Sequence, residues 1–225
     1  MRLNKYMNEA VESLNALTPD AIADVFKNNC SKYLKLLGGR KPMYRGMELQ
    51  YSDPVDFTSK IFIGRKKVRQ NRRPMATDPG AFKLVNYWLE KQGWPRRDKS
   101  IMTTSDASWA ASFGNAYYVF PINPKGYAWV EASDFNNYSP STSPDRIPSS
   151  WSIGPFENLA KNNPELAVQM LKNFVHGNKH FNIAYNRQYE TWFDCKQYYF
   201  LYLRGMKSDI QNEFKKAFKK VGIEL

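Results

Sequence analysis

Tyr185-Asn-Arg-Gln188-Tyr-Glu190-Thr-Trp-Phe-Asp-Cys-Lys-Gln-Tyr-Tyr-Phe-Leu-Tyr-Leu203 is the stretch on which the fold turns. Aromatic and β-favouring side chains suit a pleated, half-buried surface. Their density here predicts a loop feeding one long strand or two successive ones. Downstream, Ser208 and Gln211 have the spacing of a capping box, and cations are absent from the first turn but abundant in the last, so a helix follows.

The residues upstream alternate between the two kinds of element. Asn163-Pro164 opens a helix through Leu166, Val168, Met170, Leu171 and Phe174, and the Ser-, Pro- and Asn-rich residues from Asn136 to Ser152 read as a loop. Strands are expected at Tyr117 to Ile122 and Tyr127 to Glu131, after a short helix capped by Ser105 and closed by Gly114. Asp78-Pro79 opens a helix that ends near Gly93, a short strand covers Ile61 to Ile63, and the apolar run Pro42-Met43-Tyr44-Arg45-Gly46-Met47 suits a strand. Before it come two helices. One carries Leu3, Met7, Ala10, Val11 and Leu14; the other starts at Thr18-Pro19-Asp20, carries Ile22, Val25, Phe26, Tyr33 and Leu36, and stops at Gly38-Gly39. The sum is an α+β arrangement, N-terminal helices on a mainly antiparallel sheet, with residues 1–40 a helical extension of a domain spanning 41–225.

The 225 residues hold 33 Lys and Arg against 21 Asp and Glu, a net charge of +12, with 42% hydrophobic and 24% charged residues. Those fractions are globular and exclude a disordered chain. No stretch has the apolar core of a signal peptide or the length of a membrane span. Cys30 and Cys195, far apart and outside any CxxC, indicate neither a zinc site nor a disulfide framework, and read as reduced, buried thiols of a cytoplasmic protein. His176 and His180, four apart with Gly177 between them, lack a third ligand and read as surface residues.

Excess cations favour a polyanionic partner, because they neutralise phosphates and release counterions. The excess is clustered: Phe57 to Thr77 contains no acid and carries Lys60, Arg65, Lys66, Lys67, Arg69, Arg72 and Arg73, and Arg96, Arg97 and Lys99 follow. The same run reads equally as a solvated loop.

Three short segments can carry chemistry: Arg45 within a strand, Thr103-Thr104-Ser105 at a strand end, and Gln188-Tyr-Glu190 at the mouth of a strand. A second Gln-x-Glu, Gln211-Asn-Glu213, lies in a helix, where residues two apart point to different sides. In an extended segment Gln188 and Glu190 project to one face and can act on one ligand.

Taken in order, the segments resemble the mono-ADP-ribosyltransferases of the arginine-serine-glutamate class. Met43-Tyr44-Arg45-Gly46 matches the family's aromatic-Arg-Gly strand, Thr103-Thr104-Ser105 its Ser-Thr-Ser, Ala110-Ala111-Ser112-Phe113-Gly114 the small-residue helix that follows, and Tyr185-Asn-Arg-Gln188-Tyr-Glu190 the aromatic-x-x-Gln-x-Glu loop. The match covers about Pro42 to Leu203, and Thr103 departs from the usual serine by a methyl group and a stiffer χ1. The resemblance implies a split antiparallel sheet core and NAD as co-substrate, without a metal. It puts Arg45, Gly46, Thr103, Thr104, Ser105 and Glu190 around NAD, Arg45 holding phosphate through its fork and Glu190 meeting the ribose hydroxyl and the developing positive charge. Gln188 would position the acceptor. Glutamine there leaves both protein and nucleic acid (DNA or RNA) open, with Arg65, Lys66, Lys67, Arg69, Arg72, Arg73 and Tyr185 on the acceptor side. Arg72-Arg73-Pro74 and the Phe113-Gly114 and Val119-Phe120-Pro121 runs look like phage-encoded proteins of this type, which implies a monomeric effector or toxin working in a cytoplasm, that of a host included. Two alternatives stay open: a basic nucleic-acid-binding protein without catalysis, and an NAD glycohydrolase with water as acceptor.

Overall fold

The computed structural model describes residues 11–48, 62–70, 72, 79–133, 135, 156–204 and 206–225. Along them run β1 (Val11–Ser13), α1 (Pro19–Asn29), α2 (Ser31–Leu37), β2 (Tyr44–Met47), β3 (Ile63–Lys67), α3 (Pro79–Lys91), a 3-10 turn (Arg97–Lys99), β4 (Ile101–Thr103), α4 (Ala107–Ala111), β5 (Asn115–Pro121), β6 (Gly126–Val130), α5 (Phe156–Asn162), α6 (Pro164–Phe174), β7 (Val175–Gly177), α7 (Phe181–Asn186), β8 (Thr191–Asp194), β9 (Gln197–Leu201) and α8 (Ser208–Lys220). The strands form two sheets, ordered β1-β3-β9-β5-β2 and β4-β8-β6-β7, and the registers resolved within them are antiparallel. This is an α+β fold.

The residues cluster into two units: Met1–Val68 with Thr103–Lys125 and Cys195–Leu225, and Arg69–Met102 with Gly126–Asp194. In the first, α1 and α8 bring apolar faces onto the five-stranded sheet. Phe26 stacks on Tyr199 (centroids 4.6 Å, 14°) and meets Phe120 at 4.6 Å and Phe218 edge-on at 5.4 Å. Phe120 and Tyr199 are direct partners of β5 and β9, so one helix residue covers a cross-strand pair. Removing the fully buried Phe26 ring would cost about 3–5 kcal/mol. The helices α1 and α2, read from sequence as an extension preceding residue 41, share this unit with β2, β3, β5, β9 and α8.

In the second unit, one face of β6, β7 and β8 presents Ala128, Val130, Val175 and Trp192 to a core completed by α3, α5 and α6 through Val85, Leu89, Leu159, Met170 and Phe174. The other face carries Tyr127 and Phe193, which α7 covers with Phe181. Among the described residues no helix is long and apolar enough to cross a membrane.

Local signals held where they were self-contained. Thr18 accepts from Ala21 N at 3.3 Å and Asn163 from Leu166 N at 3.0 Å, both with Pro in the first helical position, and Gly38 ends α2 at φ 59°. Five expectations are corrected. Val11–Ser13 is a strand, not the end of a helix, because it pairs with Lys66, Arg65 and Gly64 of β3. The helix from Thr18 breaks at Cys30 into α1 and α2. Asp106, not Ser105, caps α4, and Lys207 rather than Ser208 stands at the cap of α8, with no side-chain bond there. The basic run is not a loop over Ile63–Lys67, which is the second strand of the larger sheet. Helices α5 and α7 were not anticipated, and the aromatic stretch resolves into two strands, β8 and β9. Leu3 to Ala10, Lys60, Arg73, Asp78 and the loop from Asn136 to Ser152 lie outside the described residues.

Candidate functional site

In the first unit, β2 carries Tyr44, Arg45 and Gly46 as the edge strand beside β5, Arg45 opposite Tyr117 and Gly46 opposite Ala116. Its other edge is not bare. Tyr44 N donates to Thr104 O at 2.6 Å and Thr104 N to Tyr44 O at 3.0 Å, an antiparallel bridge between segments sixty residues apart. The bridge brings Arg45 and Gly46 beside Thr103, Thr104 and Ser105. Thr103 Oγ1 lies 3.5 Å from Met43 Sδ, and Thr103 and Thr104 are buried.

The chain then turns through Thr104 Oγ1, which accepts from Asp106 N at 3.1 Å, and Asp106 caps α4 by accepting from Ser108 N (2.8 Å) and Trp109 N (3.1 Å). The helix packs directly on β2 because Gly46 has no side chain: a Cβ there would fall on the Ala110 carbonyl oxygen and 2.8 Å from Phe113 Cβ. Gly114 (φ 116°) completes the fit, since its missing Cβ leaves room for the Met47 carbonyl. Met43-Tyr44-Arg45-Gly46, Thr103-Thr104-Ser105 and Ala110-Ala111-Ser112-Phe113-Gly114 therefore make one local structure.

The third motif lies in the second unit and departs from the expected geometry. Gln188 is not extended. Its φ is +60°, its N–H donates to Tyr185 O at 3.1 Å, and Tyr189 N donates to Ala184 O at 2.9 Å, the paired bonds of a Schellman motif closing α7. Gln188 occupies the left-handed position where glycine is usual, and it is exposed. The Gln188 and Glu190 side chains accordingly differ in setting, one in solvent and one buried, and Tyr185 is half-buried on α7.

Glu190 feeds β8, and its backbone bonds Ala132 O and Val130 N. Its carboxylate turns to the core side with Trp192. Oε1 accepts from Arg97 Nη2 at 2.9 Å and from the Trp192 indole N–H; Oε2 accepts from Phe135 N at 2.8 Å. The Arg97 guanidinium lies against two adjoining rings, 4.7 Å from Phe135 and 5.4 Å from Trp192, and the side chains of Arg97 and Glu190 are 5% and 10% exposed. Burying an ion pair costs desolvation, and the hydrogen bonds on both carboxylate oxygens offset part of that cost. Sequence reasoning grouped Arg97 with Arg96 and Lys99 as surface charge. The neighbours have opposite fates: Arg96 grips Asp98 through two bonds (2.9 and 2.6 Å) and Arg97 turns inward.

On the opposite face of the same sheet, His176 Nε2 lies 2.8 Å from Glu131 Oε1 and its ring stacks on Trp129 at 4.2 Å. His180 stands apart at the start of α7. Among the described residues no group of three His, Cys, Asp or Glu side chains could hold a metal ion.

The described residues assigned to an acceptor are divided between the two units. Arg65, Lys66 and Lys67 lie on β3, with Arg65 ion-paired to Glu12 of β1. Lys67 and Arg69 are exposed. Arg72 is committed locally: its N–H donates to Asp98 O at 3.0 Å and its Nη2 to Ser100 O at 2.6 Å. A shallow depression on α3 and α6, lined by Leu84, Val168 and Lys172 among others, contains none of the motif residues. No protein-family model, curated protein or solved structure matches the chain.

Proposed function

We propose that this protein is an NAD-dependent ADP-ribosyltransferase of the arginine-serine-glutamate class, built on a split-sheet core and working on a macromolecular acceptor, protein or nucleic acid. The observation that carries the reading is the bridge between Tyr44 and Thr104, which unites Arg45-Gly46 with Thr103-Thr104-Ser105 and, through Gly46, with Ala110-Ala111-Ser112-Phe113-Gly114. Chance matches scattered along a chain have no reason to pack on one another.

The chemistry asks little of acid–base groups. The bond between nicotinamide and ribose breaks, its electron pair leaves with the now neutral nicotinamide, and the ribosyl group carries positive charge until the acceptor nucleophile adds and releases a proton. Cleavage through an oxocarbenium-like state needs a carboxylate near the sugar, which Glu190 supplies, and a cation on the pyrophosphate, which the planar fork of Arg45 suits. Thr103 orients the site, Gln188 addresses the acceptor, and Lys66, Lys67 and Arg69 add a phosphate-seeking field. A phage effector or toxin acting as a monomer in a cytoplasm fits this set.

The test uses tagged NAD in a bacterial lysate, following nicotinamide release and label in protein and nucleic-acid fractions separately, for the wild type, Glu190→Gln and Arg45→Lys, each checked for folding by circular dichroism. Label that disappears in both folded variants is the expected result, and the labelled fraction names the acceptor. Nicotinamide without label points to water as acceptor. A folded wild type that binds polyanions and consumes no NAD leaves the basic nucleic-acid-binding protein as the better reading.

A further inference from the structure

We infer that Glu190 offers the substrate a single acceptor position, on Oε2, and that Arg97 and the Trp192 indole reserve it by saturating Oε1; Arg97 is thus a positioning residue for the ribose contact. This rests on the transferase reading. A carboxylate has about four lone-pair sites, two on each oxygen. Among the described residues, Oε1 receives two donors, Arg97 Nη2 and Trp192 Nε1, and Oε2 receives one, Phe135 N. One site is left, and it is on Oε2.

The arrangement cannot rotate to offer another. The guanidinium that fixes Oε1 packs against both the Phe135 and Trp192 rings, which meet edge-on beside it, and Trp192 is fully buried. The backbone of Glu190 is tied on both sides, to Ala132 O and Val130 N. Arg97 starts the 3-10 turn, and the next side chain along it looks elsewhere. Asp98 takes Arg96 on both oxygens, and its own N–H donates to Asn86 Oδ1 at 3.2 Å. The carboxylate can therefore receive a hydroxyl from one direction only, and a sugar hydroxyl donating to Oε2 is held in one orientation while the C–N bond breaks. Orientation of this kind is where much of an enzyme's advantage arises.

The measurement compares initial rates of nicotinamide release from NAD and from its analogues lacking either hydroxyl of the nicotinamide ribose, for the wild type, Arg97→Lys and Trp192→Phe. Trp192→Phe removes the indole donor while keeping a large aromatic ring in the core, and serves as the second variant if Arg97→Lys does not fold; thermal melts are recorded for both. The wild type is expected to prefer NAD over one deoxy analogue by about ten- to a hundredfold, the factor a hydrogen bond to a charged group carries. In the variants that preference collapses toward unity through kcat, with KM for NAD little changed, because Oε1 is opened and the hydroxyl is no longer held in one orientation. If the variants lose rate equally on NAD and on the analogue, so that the ratio stays at its wild-type value, Arg97 and Trp192 are supports of the core and the inference is wrong. A wild type that releases no nicotinamide from NAD overturns the transferase reading itself, and that outcome is separate from a wild-type ratio retained by active variants.

Discussion

Gly46 and Ala110 touch backbone to backbone: the Cα of the strand residue faces the carbonyl of the helix residue with no room for a methyl group between them. That contact explains why an arginine in an edge strand is followed by glycine. Gly46→Ala forces β2 and α4 apart, and overpacking of this kind costs about 1–3 kcal/mol. Urea unfolding measures the loss. Unchanged stability would mean that α4 is not seated on β2 as described.

Gln188 sits in the left-handed conformation that costs a non-glycine residue about 1–2 kcal/mol. Gln188→Gly is therefore expected to raise the stability of the protein by about 1 kcal/mol, read from the urea midpoint at constant slope. Strain retained at an exposed position is a pointer to use. If the side chain addresses the acceptor, the same variant releases nicotinamide at the wild-type rate and transfers less label. A stabilised variant with full transfer would assign Gln188 to the turn alone.

The cations of the basic run separate into two behaviours. Lys66→Gln with Lys67→Gln is expected to leave the melting temperature within a degree or two and to lower the salt dependence of duplex-DNA binding by about 2 in log–log slope, near 0.9 per phosphate contact. Arg72→Ala does the reverse. It cuts the bond to Ser100 O, costing about 1 kcal/mol, and barely alters the slope. Fluorescence anisotropy across a salt series distinguishes them, and equal slopes in all variants would remove β3 from any polyanion surface.

Burial pushes the Cys30 thiol up, with Cys195 nearby reinforcing the shift. Both thiols are expected to resist a thiol reagent at pH 8 in the native protein and to react in denaturant. The sign for stability follows. Below pH 9.0 the thiol is protonated in both states; above it the unfolded chain gives up the proton first, so the folded state loses stability as pH rises further. Cys30→Ala should flatten that alkaline decline, and a decline unchanged by the substitution would trace it to other groups.

What could be read from the sequence was local. Thr18 before Pro19 and Asn163 before Pro164 announce their helices because cap, first turn and apolar stripe lie within a few residues. Ser105 and Asp106 are both competent caps, and only the path of the turn from Thr104 selects the second. Val11–Ser13 carries a helical pattern that pairing with β3 overrides. The inward turn of Arg97 had no local signature, since its partner is 93 residues away and its neighbours are cations. Gln188 and Glu190 were legible as a pair, but the Schellman turn that sets them apart depends on α7, a six-residue helix whose pattern merges into the loop.

The larger sheet has a consequence for how the protein is made. Its middle strand, β9, is flanked by β3 and β5, and all four of the other strands precede it on the ribosome. Until β9 emerges, β1-β3 and β2-β5 are two separate antiparallel pairs, each lacking the neighbour that β9 supplies, and two-stranded pairs are at best marginal in water. Synthesis therefore passes through an interval in which four strands wait for a fifth, exposed to mispairing with other nascent chains. Slow decoding just ahead of Gln197 would lengthen that interval, and rapid decoding would shorten it.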